Sequence, residues 1–98
     1  MPTYILLSKL TDDGAETLRD KPGRIREVND EIGKLGVKVV QQYAVLGPYD
    51  FVNIVEAPDN GTIARVSVEL GARGSVQITT LAAIPLDEFV ASLKRRTV

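Results

Sequence analysis

The spacing of apolar residues changes several times along the chain, and each spacing predicts a different element. Residues 3–8 are almost continuously apolar, which is typical of a strand that is covered on both faces. Residues 37–46 and 50–56 are rich in β-branched side chains and flank a short turn, so they predict a hairpin. Residues 75–84 predict a fourth strand, which Pro85 ends.

Three segments carry apolar residues at intervals of three and four, the spacing of an amphipathic helix. The first helix is expected between Pro22 and Gly36. The second begins after Asp59 or Asn60, either of which can cap it, and the third follows Pro85. Their apolar faces consist of Ile25, Val28, Ile32 and Leu35, then Ile63, Val66, Ser67 and Leu70, and finally Leu86, Phe89, Val90 and Leu93.

The segment between the first strand and the first of these helices follows neither period. Thr11 is a candidate helix cap and Gly14 a candidate turn residue, and the residues up to Lys21 are mostly polar. We therefore expect a loop with at most one helical turn.

The predicted order is β-α-β-β-α-β with an added C-terminal helix, the split βαβ arrangement of ferredoxin-like α+β folds. The right-handed crossover rule places the first and third strands in the centre of the sheet and both crossover helices on one face. These central strands are apolar on both sides, and an apolar sheet face seldom remains in water. The pattern predicts an isologous homodimer with its sheets packed face to face, or a higher assembly of dimers.

The composition excludes several kinds of chemistry. The chain has 98 residues, and we expect one domain over residues 1–98. It has no Cys and no His, which removes disulfides, thiolate and imidazole chemistry and the usual zinc and haem ligands. We therefore expect no metal and no other cofactor.

The charge balance argues against nucleic-acid and membrane partners. Twelve basic and thirteen acidic residues give a formal net charge of −1, so there is no global positive field. The basic run Lys94-Arg95-Arg96 is expected to be a solvated helix end, where cations suit the helix dipole. The first residues include no basic leader and only a short apolar run, so the expected compartment is the cytoplasm.

The turn of the hairpin carries a family resemblance. The run Gly47-Pro48-Tyr49-Asp50, the strand that follows it, residues 74–81, and the Thr-x-x-Gly from Thr11 to Gly14 together resemble the GYD-domain family of small prokaryotic proteins. The resemblance covers nearly the whole chain. It implies a ferredoxin-like dimeric α+β barrel and brings no established activity.

A similar hairpin marks the C-terminal effector domains of the leucine-responsive feast/famine regulators, in which small molecules bind at subunit interfaces. This chain has no N-terminal helix-turn-helix like theirs. The likeness therefore supports a small-molecule ligand and argues against direct DNA binding.

Tyr49 and Asp50 are the first candidate ligand-binding residues. Asp50 could accept a proton or hold a polar ligand at the mouth of the hairpin, but the favoured interpretation is that its carboxylate bonds nearby backbone N–H groups as a turn residue. Tyr49 could contribute to catalysis or serve as an interface aromatic with a polar tip.

Asn53 is a candidate because it is an amide in the middle of an apolar strand, where it needs hydrogen-bond partners if it is buried. If Val52 and Ile54 point at the helices, Asn53 points into the space between the two sheets, together with Phe51 and Val55. A polar patch there would suit a small-molecule site or a hydrogen bond across the interface.

Gln41 and Tyr43 share one side of the preceding strand and could reach the same space, since the register of an edge strand is open. The leading hypothesis is a homo-oligomeric binding or regulatory module for a small molecule or a partner protein. The alternatives are a cofactor-free enzyme of the dimeric-barrel type acting on a small organic substrate, and a purely structural assembly subunit.

Overall fold

The computed structural model describes residues 1–95, which form four strands and four helices. In chain order these are β1 (Thr3–Leu10), α1 (Asp12–Asp20), α2 (Arg24–Lys34), β2 (Lys38–Ala44), β3 (Phe51–Glu56), α3 (Asn60–Gly71), β4 (Val76–Ala83) and α4 (Leu86–Lys94). No helix among these residues is both long and apolar enough to span a membrane.

The four strands form one antiparallel sheet in the order β2-β3-β1-β4. The prediction that the first and third strands are central is confirmed. Leu6 of β1 lies opposite Asn53 of β3 and Thr80 of β4, which fixes which side chains share a face. The architecture is a mixed α+β fold consistent with the ferredoxin-like arrangement.

One face of the sheet is packed against helices, and we call it the covered face. Tyr4 and Leu6 of β1 and Val55 of β3 are at most 3% exposed because they meet the apolar sides of α2 and α3. The helices contribute Ile32 from α2 and Ile63, Val66 and Leu70 from α3. The apolar positions predicted for these two helices are therefore the ones that build the core.

The predicted loop before α2 is wrong, because residues Asp12–Asp20 form a helix. Thr11 does cap it, since its Oγ1 accepts a hydrogen bond from the Gly14 N–H at 3.1 Å. Gly14 is a helical residue rather than a turn residue. A Cβ at that position would stand 1.9 Å from the Ser75 carbonyl oxygen, so glycine permits α1 to lie directly on the segment before β4.

The C-terminal helix α4 is confirmed, but none of its residues is buried. Its apolar side chains remain from 39% to 72% exposed, namely Leu86, Phe89, Val90 and Leu93. Lys94 lies in its last turn and Arg95 follows it, both exposed as expected for a solvated helix end, while Arg96 lies outside the described residues. Helix α4 thus presents an apolar stripe that the described part of this chain does not cover.

Candidate functional site

A cavity of about 160 Å³ lies between the covered face and helices α1 and α2. Its wall is largely apolar, with Leu6 and Phe51 from the sheet, Leu18 from α1, and Ile25 and Val28 from α2. Helix α1, which periodicity did not predict, supplies the side of the cavity at which Gly14 approaches Ser75. Helix α1 is therefore one of the elements that form the cavity.

Asn53 lies in the wall of this cavity, on the covered face. Its Oδ1 atom is buried and has no hydrogen-bond partner among the described residues. An acceptor in that position costs free energy unless a donor reaches it. Asn53 Oδ1 is therefore a polar atom that the described chain leaves unsatisfied.

The orientation expected for Asn53 is wrong. Val52 and Ile54 point away from the helices, so Asn53 points toward them, together with Phe51 and Val55. An alternating strand could be read in either phase from the sequence, and pairing with Leu6 of β1 selects the phase that buries Val55. A ligand-binding role for Asn53 remains a prediction, but it now concerns the cavity rather than the space between two sheets.

An amide pair stands beside Asn53 at the edge of the cavity. Asn29 of α2 and Gln42 of β2 exchange two hydrogen bonds, of 3.0 Å from Asn29 Nδ2 and 3.3 Å from Gln42 Nε2. Gln42 lies directly opposite Asn53 in the β2–β3 ladder. These two amides bond each other, and neither donates to Asn53 Oδ1.

Ion pairs form the charged part of the cavity wall. Arg24 Nη1 lies 2.8 Å from Glu27 Oε2 and 3.0 Å from Glu31 Oε1, and Arg73 after α3 also pairs with Glu31. Hydrogen bonds from Arg73 and Arg24 hold the pKa of the Glu31 carboxyl below its usual value, although partial desolvation opposes them. The two arginines face two carboxylates, so the formal charge of this group sums to zero.

Gln41 and Tyr43 lie on the opposite face of the sheet, which we call the open face. A bulge between Val39 and Gln41 shifts the register, so that Gln41 pairs with Ile54 and Tyr43 with Val52. The open face is otherwise formed by partly exposed apolar side chains of the central strands and β4, namely Ile5, Leu7, Val52, Ile54 and Leu81. The prediction of a second apolar face is confirmed.

Asp50 joins the hairpin turn to β1. Its Oδ2 accepts a 2.8 Å hydrogen bond from the Leu10 N–H, and its own N–H donates to the Ser8 carbonyl at 2.8 Å. The turn itself needs Gly47, which has a φ of 119°. The carboxylate thus bonds a backbone N–H, as the structural alternative required, but on β1 rather than in the turn. Tyr49 is half-buried beside it.

The structure therefore divides the five candidate residues among three places. Asn53 lies in the cavity, Gln41 and Tyr43 on the open face, and Tyr49 and Asp50 at the turn. Sequence reasoning missed the cavity residues Ser8, Arg24, Asn29 and Gln42. Ser8 and Gln42 lie on strands, where the facing of a side chain depends on register. Within residues 1–95 no three carboxylates come close enough to hold a metal ion.

These features define a small α+β protein with one helix-covered and one open sheet face. The model of the GYD domain matches residues 4–93, and the chain belongs to this family. The Thr11 and Gly14 pair of the family resemblance is the pair that caps α1 and admits the Ser75 backbone.

The chain is 61% identical over 95 residues to the glutamine synthetase and cystathionine beta-lyase binding protein of Thermus thermophilus. The match covers 96% of this chain and 100% of that relative. Among solved structures, the crystal structure of TTHA0845, also from Thermus thermophilus, is similar, with a TM-score of 0.57 and 24% sequence identity. That similarity covers 87% of this chain and 95% of the other and supports the fold alone.

Proposed function

We propose that this protein is a homo-oligomeric binding and regulatory module that docks on metabolic enzymes of the glutamine synthetase and cystathionine beta-lyase kind. The exposed apolar side chains of the open face and of α4 carry the proposal of self-association. A surface of this kind is typical of protein contacts. The docking role is supported by similarity along the whole chain to a protein named for binding these two enzymes.

The open face is the surface proposed for self-association. At about 4.8 Å between strands and 3.3 Å per residue, four strands of up to eight residues span roughly 500 Å². A standard interface buries about 800 Å² on each partner, so the sheet alone falls short and the α4 stripe would supply the remainder. The proposed assembly is an isologous dimer in which both surfaces are buried.

Binding is supported over catalysis by the chemistry of the cavity. The only titratable side chains in its described wall are Arg24 and Arg73, and both are engaged by carboxylates that point to them from α2. An arginine that remains protonated is a poor general base. The cofactor-free enzyme is therefore the less supported alternative.

Sedimentation and enzyme capture together test the proposal. We expect the wild type to sediment as a dimer or a multiple of dimers at micromolar concentration. When the wild type is immobilised on a biosensor, we expect it to capture purified glutamine synthetase and cystathionine beta-lyase from the organism that encodes this protein. Leu7→Glu, in the middle of the open face, should give a monomer because a charge would be buried at the interface. Val68→Glu is the matched control, since Val68 is 71% exposed on α3.

Each part of the proposal can fail separately. A stable wild-type monomer would overturn the assembly, and a folded oligomer that captures neither enzyme would leave the structural-subunit alternative. The Phe89→Ser variant distinguishes two roles of the apolar stripe of α4. Loss of the dimer would mean that α4 takes part in self-association, whereas a retained dimer that captures neither enzyme would mean that α4 contacts the enzymes.

A further inference from the structure

The cavity between the covered face, α1 and α2 has a wall of mixed character. Most of the wall is apolar, but three hydroxyl groups and one amide NH₂ group in it form no hydrogen bond with any other part of residues 1–95, and they belong to Ser8, Thr17, Ser75 and Asn53. We infer that the cavity binds a neutral, benzene-sized molecule with an apolar body and a carbonyl group, such as a branched aliphatic amide or a ketone. The carbonyl oxygen accepts hydrogen bonds from Asn53 Nδ2 and Ser8 Oγ.

Ser8 and Asn53 are placed to bond the same ligand atom. Ser8 lies opposite Phe51 in the β1–β3 ladder, and Asn53 follows Phe51 by two residues on the same face, so the two side chains are diagonal neighbours. Diagonal neighbours lie about 7–8 Å apart in an antiparallel pair, which leaves room for one oxygen atom between their polar groups. Ser8 is only 6% exposed, so its hydroxyl borders the cavity rather than bulk solvent.

The Asn53 amide sets the kind of ligand atom that the site requires. Its Oδ1 is enclosed by protein, so the NH₂ group is the end of the amide that borders the cavity. An NH₂ group only donates, whereas a hydroxyl group donates or accepts. The ligand atom beside Asn53 must therefore be an acceptor, and a carbonyl oxygen has two lone pairs and can also accept from Ser8. A purely apolar ligand would leave both donors buried without partners.

Thr17 and Ser75 do not restrict the class of ligand further. Thr17 comes from α1 and Ser75 from the segment before β4. Because a hydroxyl rotates to donate or to accept, each can bond a second polar group of the ligand or one water molecule beside it.

The apolar part of the wall and the volume set the body of the ligand. An apolar protein cavity of about 150 Å³ admits benzene, and the cavity here has about 160 Å³. Water alone would bond the polar groups but would be confined against an apolar wall, which is unfavourable. A molecule with both an apolar body and a carbonyl group suits both parts. The apolar residues that would surround its body include Leu6, Leu18, Ile25, Val28 and Phe51.

The ion pairs favour a neutral ligand. Arg24 and Arg73 line the cavity, but Glu27 and Glu31 neutralise them. An anionic ligand would have to displace a carboxylate from these arginines, and a cationic ligand would meet two guanidinium groups. A neutral molecule encounters neither penalty.

Isovaleramide and isovalerate are the probes that test this inference, because they have the same shape and differ in charge. We expect backbone amide signals of the cavity residues to shift when isovaleramide is titrated into the full chain at neutral pH in an NMR experiment. Isovalerate should bind at least about tenfold more weakly, because its carboxylate must lose its hydration without gaining a free cation.

Variants of the two donors test the hydrogen bonds. Asn53→Leu and Ser8→Ala should each weaken isovaleramide about tenfold, the factor expected for one lost hydrogen bond. Toluene has no polar group and should bind both variants at least as tightly as the wild type, which shows that the cavity remains open. Gln41→Leu is the matched control, since it removes an amide from the open face and should leave the affinity for isovaleramide unchanged.

Val28→Phe tests the location without changing either donor. The larger side chain fills the cavity and should weaken both isovaleramide and toluene about tenfold or more. Together with Ser8→Ala, this variant keeps the test decisive if Asn53→Leu does not fold.

The inference is overturned if isovaleramide does not shift the cavity residues, if isovalerate binds as tightly as the amide, or if loss of both donors leaves the affinity unchanged. It goes beyond the proposed docking role, and the two can fail separately. Enzyme capture that persists while isovaleramide binding is absent would refute the site alone, and isovaleramide binding without capture would refute only the enzyme-docking role.

Discussion

The two faces of the sheet are built from alternate residues of the same strands, yet they differ in what surrounds them. On β1, Leu6 is 1% exposed beneath the helices, whereas the adjacent Leu7 is only half-buried on the open face. The covered face contains the core, the cavity and the unpaired Asn53 acceptor. The two faces therefore have similar apolar composition but different burial, since one is packed against helices and the other is partly exposed.

Truncation of Leu6 and of Leu7 is the most direct test of the difference between the two faces. Leu6→Ala should cost about 2–5 kcal/mol of unfolding free energy because it leaves a cavity in the core. Leu7→Ala should cost less than about 1 kcal/mol in dilute solution, since its side chain is already partly exposed in the subunit. Urea denaturation of the two variants measures the difference.

The dependence of these two costs on protein concentration is a second test of the same difference. If the open face is buried in a dimer, the cost of Leu7→Ala grows as the concentration of protein is raised, while that of Leu6→Ala stays the same. Equal costs for the two variants at every concentration would show that the faces are not distinct.

Close packing on the covered side predicts the next largest effect. Gly14→Ala should destabilise the protein by about 1–3 kcal/mol, because its Cβ would overlap the Ser75 carbonyl and push α1 away. Gly33→Ala in α2 is the control: a Cβ there meets nothing within 4 Å, and the higher helix propensity of alanine should stabilise by up to about 1 kcal/mol. Thermal denaturation of the pair should therefore show shifts of opposite sign.

The end of the sheet, where the hairpin turn meets β1, should respond more weakly. Asp50→Ala removes the acceptor for the Leu10 N–H and should cost about 0.5–2 kcal/mol. Asp50→Asn retains an acceptor oxygen and should be milder. Amide hydrogen exchange at Leu10 reports this loss directly. If both variants melt like the wild type but lose ligand binding, Asp50 is a functional residue and its structural role is refuted.

The smallest effect concerns the ion pairs beside the cavity. The pKa of Glu31 is lower in the folded protein than in the unfolded chain. The ionised carboxylate therefore stabilises the folded protein above the unfolded pKa, and this stabilisation is lost as pH falls through the folded pKa. Glu31→Gln should therefore reduce the loss of stability on acidification. Denaturation midpoints measured from neutral to acidic pH test this, and parallel curves for the variant and the wild type would contradict it. Asp59→Asn is a second comparison, since the pKa of Asp59 is also lowered, by the Thr62 N–H.

Much of the architecture could be predicted because it depends on local patterns. The helical period of Ile63, Val66 and Leu70 identified the buried side of α3, and Asp59, one of two candidate caps, is the residue that caps it. Helix α1 was missed because its burial depends on Gly14 meeting the backbone of Ser75, a residue 61 positions later (75 − 14). A signal was present in Thr11 and in the acidic residues Asp12 and Asp13 of the first turn, which suit a helix N-terminus.

The sequence by itself determined the order of the four strands and of helices α2, α3 and α4, the apolar character of both sheet faces and the lack of Cys and His chemistry, because these follow from local spacing and composition. Tertiary structure alone decided which face Asn53 occupies. A strand has a period of two, so one choice of register reverses every side chain on it, and the pairing of Asn53 with Leu6 made that choice. The cavity depends on the same step, since its wall combines residues from α1, α2 and the sheet that are distant in sequence.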